Sequence, residues 1–285
     1  MKKIEMVDLK GQYRHIKEQV NKSVLETIES AMFINGPKVK SFQDHLEKYL
    51  DVKHVIPCAN GTDALQIALM GLGLKPGDEV ITADFTFAAT VEVISLLGLT
   101  PVLVDVDPKT FNIDLPSIEK VIGPKTKAII PVHLFGQAAD MEEILALANK
   151  HNLYVVEDNA QSIGANYTFS DGSKKKTGTL GHIGTTSFFP SKNLGAYGDG
   201  GAIFTNDDEL AHTIRGMVNH GMYIRYQHDV VGVNSRLDSI QAAILDIKLN
   251  YLDFYNESRK ASALKYNQRL ADHPNLITPF RKGDC

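Results

Sequence analysis

From about residue 55 onward, short apolar runs alternate with stretches whose apolar residues recur every three or four positions. HVIPCAN, EVITAD, PVLVDVD, KAIIPVHL and LYVVED read as strands, with GTTSFFP and GAIFTN as two later candidates. Between the first five lie TDALQIALMGL, TVEVISLLGL, LPSIEKVI and DMEEILALANKH, which carry helical spacing. This β-α-β-α rhythm predicts an α/β fold with a mostly parallel central sheet flanked by helices. Ligands of such sheets bind beyond the carboxyl ends of the strands, so chemistry is sought in the loops that follow them.

Helical patterning also flanks this core. Residues 12–31 predict an N-terminal arm helix and residues 39–50 a second helix. After residue 236, Leu237, Ile240, Ile244, Ile247 and Tyr251 recur at helical spacing and predict one or two long helices. HPNLITPF is then expected as a strand entering a smaller domain. The expected division is an arm over 1–35, a large domain over 36–235, and the start of a small domain over 236–285 that stops at Cys285 before completion.

Composition narrows the function classes. The chain has 285 residues, is 43% hydrophobic and has a formal net charge of −4 from 30 basic and 34 acidic residues, which disfavours a nucleic-acid partner. The one basic run, Lys174 to Lys176, sits among Gly, Ser and Thr and reads as a solvated loop tip. Of two cysteines, Cys58 lies in an apolar run and Cys285 is the last residue, so a disulfide framework is not expected and a reducing cytoplasm fits. The start MKKIEMVDLKGQY has no following apolar stretch, so a signal peptide is not expected, and no window predicts a membrane span. The ten histidines show no metal-binding spacing, and His133, at the end of PVHL, reads as a packing residue.

Four segments fall in the right loops. Asn60-Gly61-Thr62-Asp63 joins a strand to a helix, so free backbone N–H groups and the helix dipole offer a phosphate site; a simple capped turn is the commoner meaning. Phe85-Thr86-Phe87 brings an aromatic that suits a flat cofactor ring, although core packing is the commoner job. Glu157-Asp158-Asn159-Ala160-Gln161 ends a strand with a carboxylate suited to a protonated pyridine nitrogen, or equally to a helix N-cap. Ser187-Phe188-Phe189-Pro190-Ser191-Lys192 places a lysine among apolar and small residues before a glycine-rich turn, where desolvation favours an amine that attacks carbonyls.

In this order the segments resemble the DegT/DnrJ/EryC1/StrS-type sugar aminotransferases, pyridoxal-phosphate-dependent enzymes of fold type I. The resemblance runs from about Val7 to the end and is densest in CANGTDALQIAL, DFTFAAT, PVHLFGQ, VVEDNAQSIGA, TSFFPSKNLGAYGDGGAIFTNDDELA and VGVNSRLDSIQAAIL. It implies Lys192 as the Schiff-base lysine, Asp158 on the pyridine nitrogen and Gln161 on the ring hydroxyl. It also implies that Ser187 and the backbone at Gly61 and Thr62 hold the phosphate, and that Phe87 stacks on the ring. Asn234 is implied to reach the partner's cofactor across a homodimer with shared active sites, and Arg236 to lie near the substrate sugar.

FFPSKNLGAYGDGGAIFTNDDEL and GVNSRLD are most similar to the branch acting on UDP-2-acetamido-2-deoxy-3-oxo-glucuronic acid. That implies a nucleotide-linked keto sugar, an amino-acid donor such as glutamate, and a role in surface polysaccharide such as lipopolysaccharide. Another UDP- or dTDP-linked 3- or 4-keto sugar is the alternative. A sibling branch that removes a sugar hydroxyl carries histidine where this chain has Lys192. A nucleotide-sugar oxidoreductase requires G-x-G-x-x-G directly after its first strand, whereas the run from Gly71 to Gly77 follows a helix. Related chains continue for roughly another eighty residues, which leaves open a non-catalytic form of the fold.

Overall fold

The computed structural model describes residues 5–283. Helix α1 (Leu9–Ser30) starts where the Asp8 side chain accepts the Gly11 amide and ends at Ala31, a left-handed residue. Helix α2 (Pro37–Leu50) opens on a proline, whose missing N–H is harmless in a first turn, and buries Val39, Phe42, Leu46 and Leu50. The alternating region follows: β1 (His54–Cys58), α3 (Gly61–Gly71), β2 (Glu79–Ala83), α4 (Ala88–Leu96), β3 (Thr100–Val104), α5 (Leu115–Val121), β4 (Thr126–Ile130), α6 (Met141–His151) and β5 (Tyr154–Asp158). A small hairpin of β6 (Asn166–Thr168) and β7 (Lys174–Lys176) precedes β8 (Ile183–Ser187), β9 (Gly201–Thr205) and α7 (Asp208–Met217). A second hairpin, β10 (Met222–Ile224) with β11 (Gln227–His228), leads to α8 (Ser239–Leu249) and α9 (Leu252–Leu270).

The central sheet has seven strands in the order β1-β9-β8-β5-β4-β2-β3. Strand β9 runs antiparallel to both β1 and β8, and every other neighbouring pair is parallel. The carboxyl ends of all strands but β9 therefore share one edge. Alternate residues feed opposite faces. Val80, Ile130 and Val156 pack with Ile67 of α3, Val93 of α4 and Ile214 of α7. Ile81, Ile129 and Val155 pack on the other face with Ile118 of α5 and Ile144 of α6. Burial on both faces explains why these strands read as nearly continuous apolar runs.

Helix α8 uses two stripes. Ile240, Ile244 and Ile247 meet Ile16 and Val20 of α1. Ala242, Leu245 and Leu249 join Phe42, Leu46 and Phe188 in a separate cluster, which also takes Leu237. Among the described residues no helix is long and apolar enough to cross a membrane.

Two sequence expectations are corrected. Residues 274–280 form no strand, because no described sheet edge receives them. Lys174 to Lys176 form strand β7 rather than a loop tip; the tip lies at Asp171-Gly172, where Gly172 takes a positive φ of 84°. Lys176 is half-buried, donating to the Gly164 carbonyl and lying over the Tyr49 ring. Cys58 is buried and unpaired, while Cys285 and Met1 to Ile4 lie outside the described residues.

Candidate active site

One end of the site is built where β1 feeds α3. Asn60 caps the helix by accepting the Asp63 amide at 2.8 Å. The Gly61 and Thr62 amides have no acceptor among the described hydrogen bonds. Gly61 sits tightly on Ser187 at the end of β8: a Cβ on Gly61 would lie 2.6 Å from the Ser187 Cβ. Gly201 lies equally close behind, its Cβ position 2.4 Å from the Asn60 carbonyl oxygen. The buried Ser235 accepts the Ala59 amide at 3.1 Å and completes the turn. Free amides, the positive end of the α3 dipole and the Ser187 hydroxyl thus form a cradle for an anion.

The other end is built on β5 and α4. Asp158 is 5% exposed; its Oδ2 accepts Thr90 Oγ1 at 2.8 Å and its Oδ1 accepts the Ala160 amide at 3.2 Å. It caps no helix. Thr90 lies in the first turn of α4, and Phe87 is the residue at which α4 begins. Phe87 is 71% exposed and Phe85 49%, so neither is a core residue. Gln161 accepts the Phe135 amide through Oε1 at 2.9 Å, which leaves its NH2 donors unclaimed among the described residues.

Lys192 lies between these ends, in the connection from β8 to β9. Its backbone amide donates to the Phe189 carbonyl at 2.8 Å. The loop is held from behind by α8 and α9: Gln241 accepts the Tyr197 amide at 2.9 Å, Asn256 accepts from Asn193 at 2.6 Å, and Lys248 Nζ donates to the Gly195 carbonyl. Lys192 Nζ has no hydrogen-bond or ion-pair partner among the described residues. Burial lowers its pKa, and the nearby charge of Asp158 partly opposes that shift. An amine desolvated in this way gives up its proton readily and becomes a nucleophile.

Beneath Asp158 lies a buried pair whose joint role the sequence did not disclose. Glu157 accepts the amides of Gly178, Leu180 and Gly181 at 2.8, 2.7 and 2.7 Å, and meets His133 Nε2 at 2.8 Å. His133 Nδ1 accepts the Ala139 amide, so Nε2 carries the ring proton and donates it to Glu157. The His133 amide also donates to the Asp158 carbonyl at 3.1 Å. His133 is fully buried, as packing demands, and with Glu157 it fixes the backbone that aims Asp158. The remaining missed residues are Thr86, Thr90, Ser235, Gln241, Lys248 and Asn256. Only the two threonines had a local signal, as hydroxyls four residues apart in FTFAAT.

Asn234 and Arg236 are not joined by any described contact to Lys192, Asp158 or Ser187 of the same chain. Asn234 is exposed and bridges Asn219 through the backbone. Arg236 donates through Nη1 to Asn219 Oδ1 at 3.2 Å, while its buried Nε has no hydrogen-bond partner among the described residues. Both flank Ser235, which ties their segment to the turn before Gly61.

The residues present fit pyridoxal phosphate. They supply an unpartnered half-buried amine, a buried carboxylate, an exposed aromatic and an anion cradle that a single added Cβ on Gly61 would close. The model of the DegT/DnrJ/EryC1/StrS aminotransferase family matches residues 14–284. The chain belongs to that family. This aminotransferase is 49% identical over 277 residues to the UDP-2-acetamido-2-deoxy-3-oxo-D-glucuronate aminotransferase of Pseudomonas aeruginosa, a match covering 97% of this chain and 76% of the relative. DesV of S. venezuelae, solved in complex with a ketimine intermediate, superposes with a TM-score of 0.95 at 38% identity over 100% of this chain and 75% of that one. The Bacillus subtilis protein NtdA, solved with bound cofactor PMP, superposes with a TM-score of 0.88 at 35% identity over 96% of this chain and 62% of that one. The aminotransferase is accordingly a pyridoxal-phosphate-dependent enzyme of nucleotide-sugar metabolism.

Proposed function

We propose that the chain transfers an amino group from glutamate to C3 of UDP-2-acetamido-2-deoxy-3-oxo-glucuronate, making a 3-amino uronic acid for surface polysaccharide. The observation that carries this reading is the identity with the Pseudomonas aeruginosa enzyme of that substrate, which extends across 97% of the chain.

When bound, pyridoxal phosphate supplies an aldehyde that captures amino groups and a ring that takes up the electron pair released at the donor's α-carbon. Ser187 and the Gly61 and Thr62 amides would hold the phosphate, and Phe87 would cover the ring. Gln161 would donate from its NH2 to the ring hydroxyl oxygen. Asp158 would hold the ring nitrogen and keep a proton there. Lys192 would hold the cofactor's aldehyde through Nζ, and its free amine would be the base that takes up and returns the proton at the donor's α-carbon. The large cofactor-binding domain would span residues 36–235, with the start of a small domain after it. The working unit is a homodimer in which Asn234 reaches the partner's cofactor and Arg236 the partner's sugar.

The test converts the protein to its pyridoxamine form and offers a panel of UDP- and dTDP-linked 3- and 4-keto sugars, with products read by mass spectrometry. Amination of the UDP-linked 3-keto uronic acid at the highest kcat/KM is expected; faster turnover of a dTDP-linked or 4-keto sugar would overturn the assignment. Arg236 gives a residue-level arm, because a guanidinium binds a carboxylate through two parallel hydrogen bonds. Arg236→Ala is expected to weaken the uronic keto sugar by about tenfold or more, and a neutral keto sugar far less. Equal losses on both would place Arg236 on a phosphate or in the Asn219 contact alone.

A further inference from the structure

The carboxylate assigned to the ring nitrogen is itself held by a short chain of hydroxyls. Thr90 is fully buried and places Oγ1 2.8 Å from Asp158 Oδ2. Thr86 Oγ1 lies 2.9 Å from Thr90 Oγ1. A threonine hydroxyl has one proton, and an ionised carboxylate oxygen only accepts. The Thr90 proton therefore goes to Asp158, and the Thr86 proton goes to Thr90. The two threonines bracket Phe87, so one turn at the start of α4 carries both the ring-covering aromatic and this relay.

We propose that Thr90, oriented by Thr86, is a positioning residue that keeps the proton shared between Asp158 and the cofactor on the ring nitrogen. This rests on the assignment of Asp158 to that nitrogen. A hydrogen bond donated to a carboxylate oxygen favours its charged form and makes it a poorer proton acceptor. In a buried site, where little water competes, each such bond weighs more than at the surface. Without the Thr90 hydroxyl, Oδ2 keeps one donor fewer and draws the shared proton away from the ring. The bond also fixes the carboxylate in rotation, since Ala160 holds only the other oxygen.

The test loads the protein with pyridoxal phosphate labelled with nitrogen-15 on the ring and reads the nitrogen shift, which separates protonated from neutral pyridine. The parent is expected at the protonated end and Asp158→Asn at the neutral end. Thr90→Val is expected between them, Thr90→Ser with the parent, and Thr86→Val displaced in the same direction as Thr90→Val but less. In Thr90→Val, kcat is expected to fall by about tenfold while the KM for the keto sugar holds, because the lost bond acts on ring charge and not on sugar binding. Thr90→Ala is the second variant should valine not be tolerated at this buried position. A neutral-end shift in Asp158→Asn with a parent-like shift in Thr90→Val, or in Thr90→Ala if valine does not fold, would overturn the relay. A protonated nitrogen in Asp158→Asn would instead overturn the assignment of Asp158 on which it rests.

Discussion

Lys192 belongs to the loop between β8 and β9 and Lys248 of α8 packs behind that loop, and burial lowers the pKa of both. Their surroundings divide their roles. Lys192 Nζ has no hydrogen-bond or ion-pair partner among the described residues, whereas Lys248 Nζ is bonded to the Gly195 carbonyl and lies 5.1 Å from the Tyr197 ring centroid. Lys192→Ala is expected to abolish turnover and the visible absorbance of the bound cofactor; borohydride reduction and peptide mapping that labelled another lysine would remove Lys192 from its role. For Lys248, burial brings the pKa from 10.5 down to about 8. The unfolded chain then holds this proton more tightly than the folded one between those two values. Its contribution to stability therefore rises with pH across that window and is lowest below about pH 8. Lys248→Met removes this dependence, so the stability of the parent relative to the variant should climb by up to about 3 kcal/mol from pH 7.5 to pH 10.5. Chemical unfolding of both proteins at several pH values measures it, and parallel stability curves would show that Lys248 is not desolvated in solution.

At the scale of elements, the decisive junction is the one between α3 and β8. Its consequence is steric: Gly61→Ala places a Cβ where the Ser187 Cβ already sits, 2.6 Å away. Cofactor affinity is expected to fall by at least about tenfold while the sheet stays folded, because only the first turn of α3 must shift. Absorbance titration with pyridoxal phosphate would decide, and an unchanged dissociation constant would place the phosphate elsewhere. The sequence carried much of this. Apolar runs bounded by Gly, Asn and Asp marked the seven strands of the central sheet, most of which are buried on both faces, but not the four short strands of the two hairpins. Gly61, Phe87, Asp158 and Lys192 do stand at or just beyond the ends of β1, β2, β5 and β8. What stayed hidden was made by residues distant in the chain. Glu157 has no signal of its own in the sequence beside Asp158, yet it faces His133 and three amides. Nothing around Lys248 foretold that a lysine on α8 would bury its amine behind Lys192. HPNLITPF has strand composition, but residues 274–280 meet no sheet edge. For Phe85 and Phe87, apolar character suggested packing at positions the structure leaves exposed.

At the scale of the whole molecule, the exposed Asn234 and the half-satisfied Arg236 are what a shared active site asks for: side chains presented outward from a segment anchored by Ser235. If the sites are shared, Lys192→Ala and Asn234→Ala proteins should complement each other on subunit exchange. One site of the mixed dimer then carries both lesions and the other carries neither. Activity recovered on mixing two inactive proteins is the expected result, and verified mixed dimers with no recovery would mean self-contained sites.

The pairing of β1 with β9 sets the order in which the molecule is completed as it is made. His54 meets Thr205 across the sheet, and Cys58 meets Gly201, so these partners lie ~150 residues apart in the chain. A growing chain displays β1 and the turn at Asn60 long before β9 exists to cover them. All of β2 to β5 can find their parallel neighbours first. Gly201, which closes against the Asn60 carbonyl, arrives only after Ser187 and Lys192 have been made. The anion cradle at Gly61 is thus among the last parts to close during synthesis, and it is finished by the same strand that ties the edge strand β1 to β8 and the rest of the sheet.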